Sequence, residues 1–229
     1  MCIRDRYYYQ WVHNNIEEVS RQTDGRVGYL HIPDMGVGGL NEFARYYYPQ
    51  LTKEGLIIDV RGNGGGNVSP MIIERLMRQL TYMTMHTGQQ QGDPNPSGMH
   101  VGPKVTLIDK YSASDGDLFP YRFQVNELGP TIGTRSWGGV VGYSGAIPLI
   151  DGGSIITPSY APYDKDGKGF VIEGEGVVPD IIIENKPAEL YKGIDAQLNK
   201  AVEVILEELE KAPVKLPPVP PFPDKSGKR

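Results

Sequence analysis

The segment Leu56-Ile57-Ile58-Asp59-Val60 runs directly into Arg61-Gly62-Asn63-Gly64-Gly65-Gly66-Asn67, and this pairing constrains the fold of the 229-residue chain more than any other feature. A short, nearly continuous apolar run reads as a strand covered on both faces, as in a parallel sheet between helical layers. Glycines clustered inside a folded sequence mark backbone that turns tightly or approaches something closely. A helix is predicted next, from about Pro70 to Tyr82, carrying Ile72, Ile73, Leu76, Met77 and Leu80. Strand, glycine loop and helix in that order leave free backbone N–H groups at a helix N-terminus, where negative charge is favoured.

The flanking sequence repeats the alternation. Tyr7–Arg21 places Trp11, Val12, Ile16 and Val19 at helical spacing, and Val27–Ile32 is a β-rich run. Asn41–Leu51 sets Phe43, Tyr47 and Leu51 on one helical face. Val105–Ile108 reads as a strand, Ala113–Val125 as a turn and helix, and Thr131–Thr134 as another strand. This order predicts an α/β core with parallel pairs. Gly88–Gly98 and Arg135–Ser144 read as loops, and short strands and turns dominate from Ile147 to Ile183, an extra β layer beside the core. Gly193–Leu209 closes as an amphipathic helix with Ile194, Leu198, Val202, Ile205 and Leu209. Residues 213–229 are proline-rich and predict an extended, disordered tail. Met1–Arg6 lacks the apolar stretch of a secretory signal and reads as a non-native leader, so that the natural protein begins further upstream.

Composition removes several function classes. A net charge of −5 with no local basic patch argues against nucleic acid and anionic membrane as partners. No apolar run approaches the ~20 residues of a membrane span. A lone cysteine, Cys2, excludes an intrachain disulfide framework and a Cys-rich zinc site. No two of His13, His31, His86 and His100 have metal-ligand spacing, and each reads as structural or exposed. No metal and no cofactor are expected.

Three segments could carry chemistry. The glycine loop could cradle a phosphate, supply an oxyanion donor, or be a tight connection with no ligand; without Gly-Lys-Ser/Thr it is not a Walker loop. Val105–Asp117 is a strand ending in the small-residue turn Ser112-Ala113-Ser114-Asp115-Gly116-Asp117. A serine there would expose its hydroxyl at the carboxyl edge of the sheet, as in a nucleophile elbow, or would simply cap the helix. Phe170–Asp180 is β-rich and carries Glu173 and Glu175 two apart, either to orient a catalytic base or as a solvent-facing strand edge.

In this order the three segments, with Val27–Gly36 and Gly133–Gly139, resemble the tail-specific (C-terminal-processing) serine peptidases, and within them the tricorn branch, over about Val27 to Ala212. The resemblance implies a ClpP/crotonase-like α/β spiral with additional β-strands, and a catalytic domain over residues 7–212. It implies Ser114 as nucleophile, Asp115 and Gly66 as oxyanion donors with Gly65 as the alternative, and Glu173 as the acid supporting the base through a serine, with Glu175 the alternative. Ser-Lys members of the family carry a lysine where this chain has Gly139, 25 residues after Ser114. Lys110 and Lys165 lie in the wrong segments. The tricorn branch instead uses a histidine beside a serine in an upstream domain, so the chain alone is expected to lack its general base. Oligopeptide substrates, a hexamer and a cytoplasmic location, with the periplasm as the alternative, are implied by the same resemblance. A non-catalytic peptide-binding or assembly module on this fold is the rival expectation, and a crotonase-like enzyme of acyl-CoA thioesters a remoter one.

Overall fold

The computed structural model describes residues 3–223 and Gly227. Of the expected leader, Met1 and Cys2 lie outside the described residues, while Ile3–Arg6 open the first helix, α1 (Ile3–Gln22). Of the tail, residues 224–226 and 228–229 lie outside; residues 213–223 form neither helix nor strand, yet Val214 packs on the core and Gln91 Nε2 donates to the Pro217 carbonyl.

After α1 come β1 (Val27–His31), α2 (Val37–Tyr47), β2 (Gly55–Asp59), α3 (Ser69–Leu76), the antiparallel pair β3 (Tyr82–Thr84) and β4 (Asp93–Asn95), then β5 (Lys104–Ile108), α4 (Asp115–Val125) and β6 (Thr131–Gly133). A long excursion holds β7 (Gly142–Tyr143), β8 (Ile147–Pro148), β9 (Ser154–Ile155) and β10 (Pro158–Tyr160), with β7 paired to β10 and β8 to β9. The chain returns as β11 (Ile181–Ile182), a short α5 (Pro187–Leu190) and α6 (Ala196–Lys211). The strands β1, β2, β5, β6 and β11 lie side by side in that order, and every pairing is parallel.

Each strand of the first four is buried along its length, because helices cover both faces. Leu30, Ile32, Leu56, Ile58, Val60 and Ile108 meet Phe43 and Tyr47 of α2, Ile72 and Leu76 of α3, and Phe119 and Phe123 of α4. The alternate residues Tyr29, Ile57, Val105, Leu107 and Ile132 meet Val19 of α1 and Leu198, Val202, Ile205 and Leu209 of α6. The period-two alternation of a strand is therefore present, but both faces demand apolar residues, and so the sequence shows runs. This is the α/β core with additional strands that the sequence led us to expect.

Several helix boundaries differ from the sequence reading. The second helix starts at Val37, not Asn41, because the Asp34 carboxylate accepts the Gly36 and Gly39 amides; the glycines hid this start, and Pro49 ends the α-helix, which passes into a 3-10 turn at Tyr48–Gln50. The third helix stops at Leu76, and Tyr82–Thr84 pairs with Asp93–Asn95 inside what read as a loop; Thr81 and Tyr82 favour extended backbone and Gly88, at φ +87°, lets the chain reverse. The last helix starts at Ala196, where Asp195 accepts the Leu198 amide as N-cap, leaving Ile194 exposed.

One buried charge cluster joins the sheet to α6. Asp59 ends β2 fully buried and accepts from Arg61 Nη2 at 2.6 Å and from the Tyr29 hydroxyl at 2.8 Å. Arg61 Nη1 reaches Asp195 at 2.8 Å. Burial alone would push the Asp59 carboxyl up, but the guanidinium outweighs it and holds the pKa below its ordinary value. Replacing Arg61 by Met strands a buried carboxylate, so Arg61→Met is expected to cost about 3–5 kcal/mol in urea denaturation. A depressed folded pKa contributes stability above the unfolded value and loses it as pH falls through the folded one. The wild-type chain should therefore lose stability below about pH 4, and Asp59→Asn should flatten that acid limb.

Candidate active site

The site is built where β2 and β5 end. Asp109 Oδ1 accepts the Gly62 amide at 2.9 Å and the Tyr111 amide at 3.0 Å. Ser112, fully buried, donates its hydroxyl to the Val60 carbonyl at 2.9 Å. These bonds stitch the two strand ends together and consume Ser112. Ser114 follows with φ +57° and ψ −121°, a backbone state that costs a non-glycine residue about 1–3 kcal/mol. It occupies the N-cap position of α4, but its hydroxyl makes no capping bond; its carbonyl instead accepts the Asp117 and Leu118 amides. Ser114 is exposed, and among the described residues its hydroxyl has no partner.

The glycine loop lies directly against this serine. At Gly65, with φ +100°, an added Cβ would stand 2.6 Å from the Ser114 Cβ, 2.8 Å from the Ala113 carbonyl and 3.0 Å from the Asp115 nitrogen. At Gly66 a Cβ would fall 2.0 Å from the Met35 carbonyl, and Met35 binds the loop on that side: its amide donates to the Gly65 carbonyl and its carbonyl accepts from Asn67 and Val68. The Gly65 amide is taken by Asn63 Oδ1 at 3.0 Å. The amides of Gly66 and Asp115 have no acceptor among the described residues. Asp115 itself is clamped, its carboxylate accepting from the Ser69 amide and hydroxyl and from Arg122 Nη1. The free hydroxyl of Ser114 and the free amide of Asp115 thus lie at the N-terminus of α4, whose dipole favours negative charge there, and the loop that packs on them at Gly65 carries the free amide of Gly66.

The acidic segment differs from the sequence reading. Phe170 makes only an isolated bridge to Tyr163, and residues 172–176 form a turn in which the Ile172 carbonyl accepts the Glu175 and Gly176 amides; Ile172, Gly174 and Gly176 all have positive φ. The glycines override the β propensity of their neighbours. Glu173 Oε2 accepts the Val140 amide at 2.7 Å and the Val141 amide at 2.8 Å. The same loop is held from the other side by Asp117, which accepts the Gly138 amide at 2.7 Å and the Gly139 amide at 3.3 Å. The structure therefore links Glu173 to α4 through residues 138–141. Glu175 joins this framework through its carbonyl, an acceptor for Arg135 Nη1.

No histidine reaches the elbow with a free nitrogen. His31 is buried between Arg61, whose carbonyl is 3.0 Å from Nε2, and Tyr8, whose hydroxyl is 3.1 Å from Nδ1. With Nε2–H donating to the carbonyl, Nδ1 accepts from the phenol and neither nitrogen is left over; burial lowers the His31 pKa further. His100 and Lys104 lie at the start of β5, the end remote from Ser114, where burial pushes their pKa values down to about 4 and about 8. His13 packs on Tyr46, and His86 is exposed beside Asp93. Lys110 Nζ lies over the Tyr111 ring. Among the described residues, no group of three His, Cys, Asp or Glu side chains could hold a metal ion.

The sequence reading missed Asn63, Asp117 and the Ser69–Asp115–Arg122 clamp. Asp115 and Asp117 are visible as acids in the first turn of a helix, but Ser69 and Gly138, which they hold, are 46 and 21 residues away.

A family model described as peptidase family S41 matches residues 26–183. The chain is 46% identical over 216 residues to the tricorn protease of Thermoplasma volcanium, a match that covers 93% of this chain and 21% of that protein. It is 25% identical over 200 residues to the carboxy-terminal-processing protease of Bartonella bacilliformis, covering 81% of this chain and 45% of that protein. A crystal structure of the tricorn protease is similar to this fold with a TM-score of 0.83 and 41% identity, over 89% of this chain and 20% of that one. The chain thus spans about a fifth of the length of the tricorn proteases it matches.

The two neighbouring glycines should respond differently to substitution. Gly65→Ala drives a methyl into Ser114 at a left-handed position and is expected to lose about 1–3 kcal/mol in calorimetry. Gly64→Ala, with nothing within 4 Å of the new carbon, should stay within about 0.5 kcal/mol of wild type.

Proposed function

Because the chain belongs to peptidase family S41, with the sequence of its tricorn-type members, we propose that it carries the nucleophile and oxyanion hole of a serine peptidase acting on oligopeptides. One observation carries the reading: Ser114 presents an unbonded hydroxyl on a strained turn, in contact with Gly65 of a glycine loop whose next amide, that of Gly66, is free, as is the amide of Asp115.

The chemistry is acyl transfer. Ser114 Oγ attacks the peptide carbonyl carbon, and its proton passes to a general base. The carbonyl oxygen becomes an oxyanion that the Gly66 and Asp115 amides stabilise, each worth on the order of 3 kcal/mol of barrier. Collapse breaks the C–N bond, the base returns the proton to the leaving amine, and water then releases the acyl group by the same route. Asp115 fits the donor role because its amide is free while its side chain is clamped by Ser69 and Arg122. Gly66 fits better than Gly65, whose amide is already committed to Asn63.

Glu173 suits the acid. It is exposed and holds the 140–141 backbone with one oxygen, which leaves the other to accept from a hydroxyl that supports the base. We assign the base to an imidazole outside these 229 residues, since His31 is fully bonded and the other three histidines lie away from the elbow. A hexameric assembly and a cytoplasmic location rest on the tricorn likeness; no helix among the described residues is long and apolar enough to cross a membrane.

The lack of an available base among the described residues also favours a second reading, a non-catalytic peptide-binding or assembly module. A fluorophosphonate probe, applied with and without added imidazole, separates the two. Phosphonylation mapped to Ser114 by mass spectrometry and lost in Ser114→Ala supports the peptidase, whereas no labelling under either condition favours the module. The purified chain alone should cleave peptides very slowly or not at all, because a serine hydroxyl without a base is a weak nucleophile. Robust hydrolysis abolished by Ser114→Ala would show that a base inside the chain had been overlooked.

A further inference from the structure

We propose that Asn63 is the positioning residue that sets the spacing between the two halves of the oxyanion hole, an inference that rests on the acyl-transfer reading above. Asn63 is fully buried, and its polar groups tie together four pieces of backbone. Its amide donates to the Val60 carbonyl at 3.2 Å, and its carbonyl accepts the Ala113 amide at 2.8 Å. Its side chain donates from Nδ2 to the Ile32 carbonyl at 2.9 Å and accepts at Oδ1 from the Gly65 amide at 3.0 Å. Gly116 rests on the same residue: a Cβ there would fall 2.2 Å from the Asn63 carbonyl oxygen and 2.9 Å from Oδ1.

The donors of the hole come from two segments that are far apart in sequence. Gly66 belongs to the loop after β2, and Asp115 to the turn after β5. The Asn63 side chain fixes the first by taking the Gly65 amide, which turns the loop so that the next amide, that of Gly66, stays free. Its carbonyl and its packing surface fix the second, through Ala113 on one side of Ser114 and Gly116 on the other. The bond to Ile32 anchors both to the end of β1. The job needs a donor and an acceptor on one short planar group. Aspartate supplies only the acceptor and leucine supplies neither. Catalytic geometry is sensitive to small displacements, with about 1 Å able to cost 10²-fold.

The test uses the full chain with Cys2→Ser and Ser114→Cys, so that a thiolate formed at alkaline pH replaces the base-dependent serine. Acylation by p-nitrophenyl acetate passes through a tetrahedral oxyanion; alkylation by iodoacetamide displaces iodide and forms none. Asn63→Ala in this background is expected to slow acylation about 10- to 100-fold while alkylation changes by less than about two-fold. Asn63→Asp, which keeps the acceptor for Gly65, should recover part of the loss. Equal slowing of both reactions, or unchanged acylation, overturns the proposal. If the Ser114→Cys parent is acylated no faster than a free thiol of matched ionisation, the acyl-transfer reading itself falls and takes the proposal with it. Should Asn63→Ala fail to fold, amide exchange in the unsubstituted chain decides: the Gly65 amide should be protected while those of Gly66 and Asp115 exchange freely, and a Gly65 amide as fast as its neighbour sinks the idea.

Discussion

Gly65 and Ser114 touch with no room for a methyl group between them, and the rest of the site depends on that contact. The loop after β2 and the turn after β5 can meet only because those strands are parallel neighbours whose carboxyl ends emerge together. A parallel sheet in turn requires crossovers that lay helices on its faces, and these bury the strands on both sides. The site is thus a consequence of sheet topology: the strands carry no chemistry along their length, and their ends carry all of it.

The carboxylates of the site serve as clamps on backbone. Asp115 holds the start of α3, Asp117 holds residues 138–139, and Glu173 holds residues 140–141. Each accepts N–H or O–H groups, and Asp115 also meets Arg122. A carboxylate that accepts several donors from rigid backbone is well compensated and fixes that backbone at the same time. In the proposed acyl transfer, negative charge can therefore stand near the developing oxyanion while the Gly66 and Asp115 amides stay free. Two residues of these segments, Ser114 and Ile172, hold left-handed φ values, a backbone state that costs a non-glycine residue energy.

The excursion between β6 and β11 obeys different physics. Its two small ribbons are exposed along almost their whole length, including Ile147, Ile150, Ile155 and Tyr160, whereas its two stems are pinned beside the site by Glu173 and by the Gly138–Gly174 contact. The core is held by burial, and this arm by hydrogen bonds at its base.

The sequence by itself determined the fold class and most of the elements. Apolar runs such as Leu56–Val60 are required by burial on both faces, and helical spacing such as Leu198–Val202–Ile205–Leu209 is required by burial on one; both patterns are local and can be read directly. It also marked the glycine loop, the serine turn and the acids as places where backbone and charge had to do something unusual. Only the tertiary structure decided that Ser112 is consumed by the Val60 carbonyl while Ser114 stays free, that residues 172–176 turn rather than extend, and that Asn63 and Asp117 hold the loops. For Ser112, Asn63 and Asp117 the reason is that a hydrogen bond is directional and short, its partner lies tens of residues away in the chain, and no local pattern records which distant group will be brought to it; for residues 172–176 it is that the positive-φ glycines override the β propensity of their neighbours.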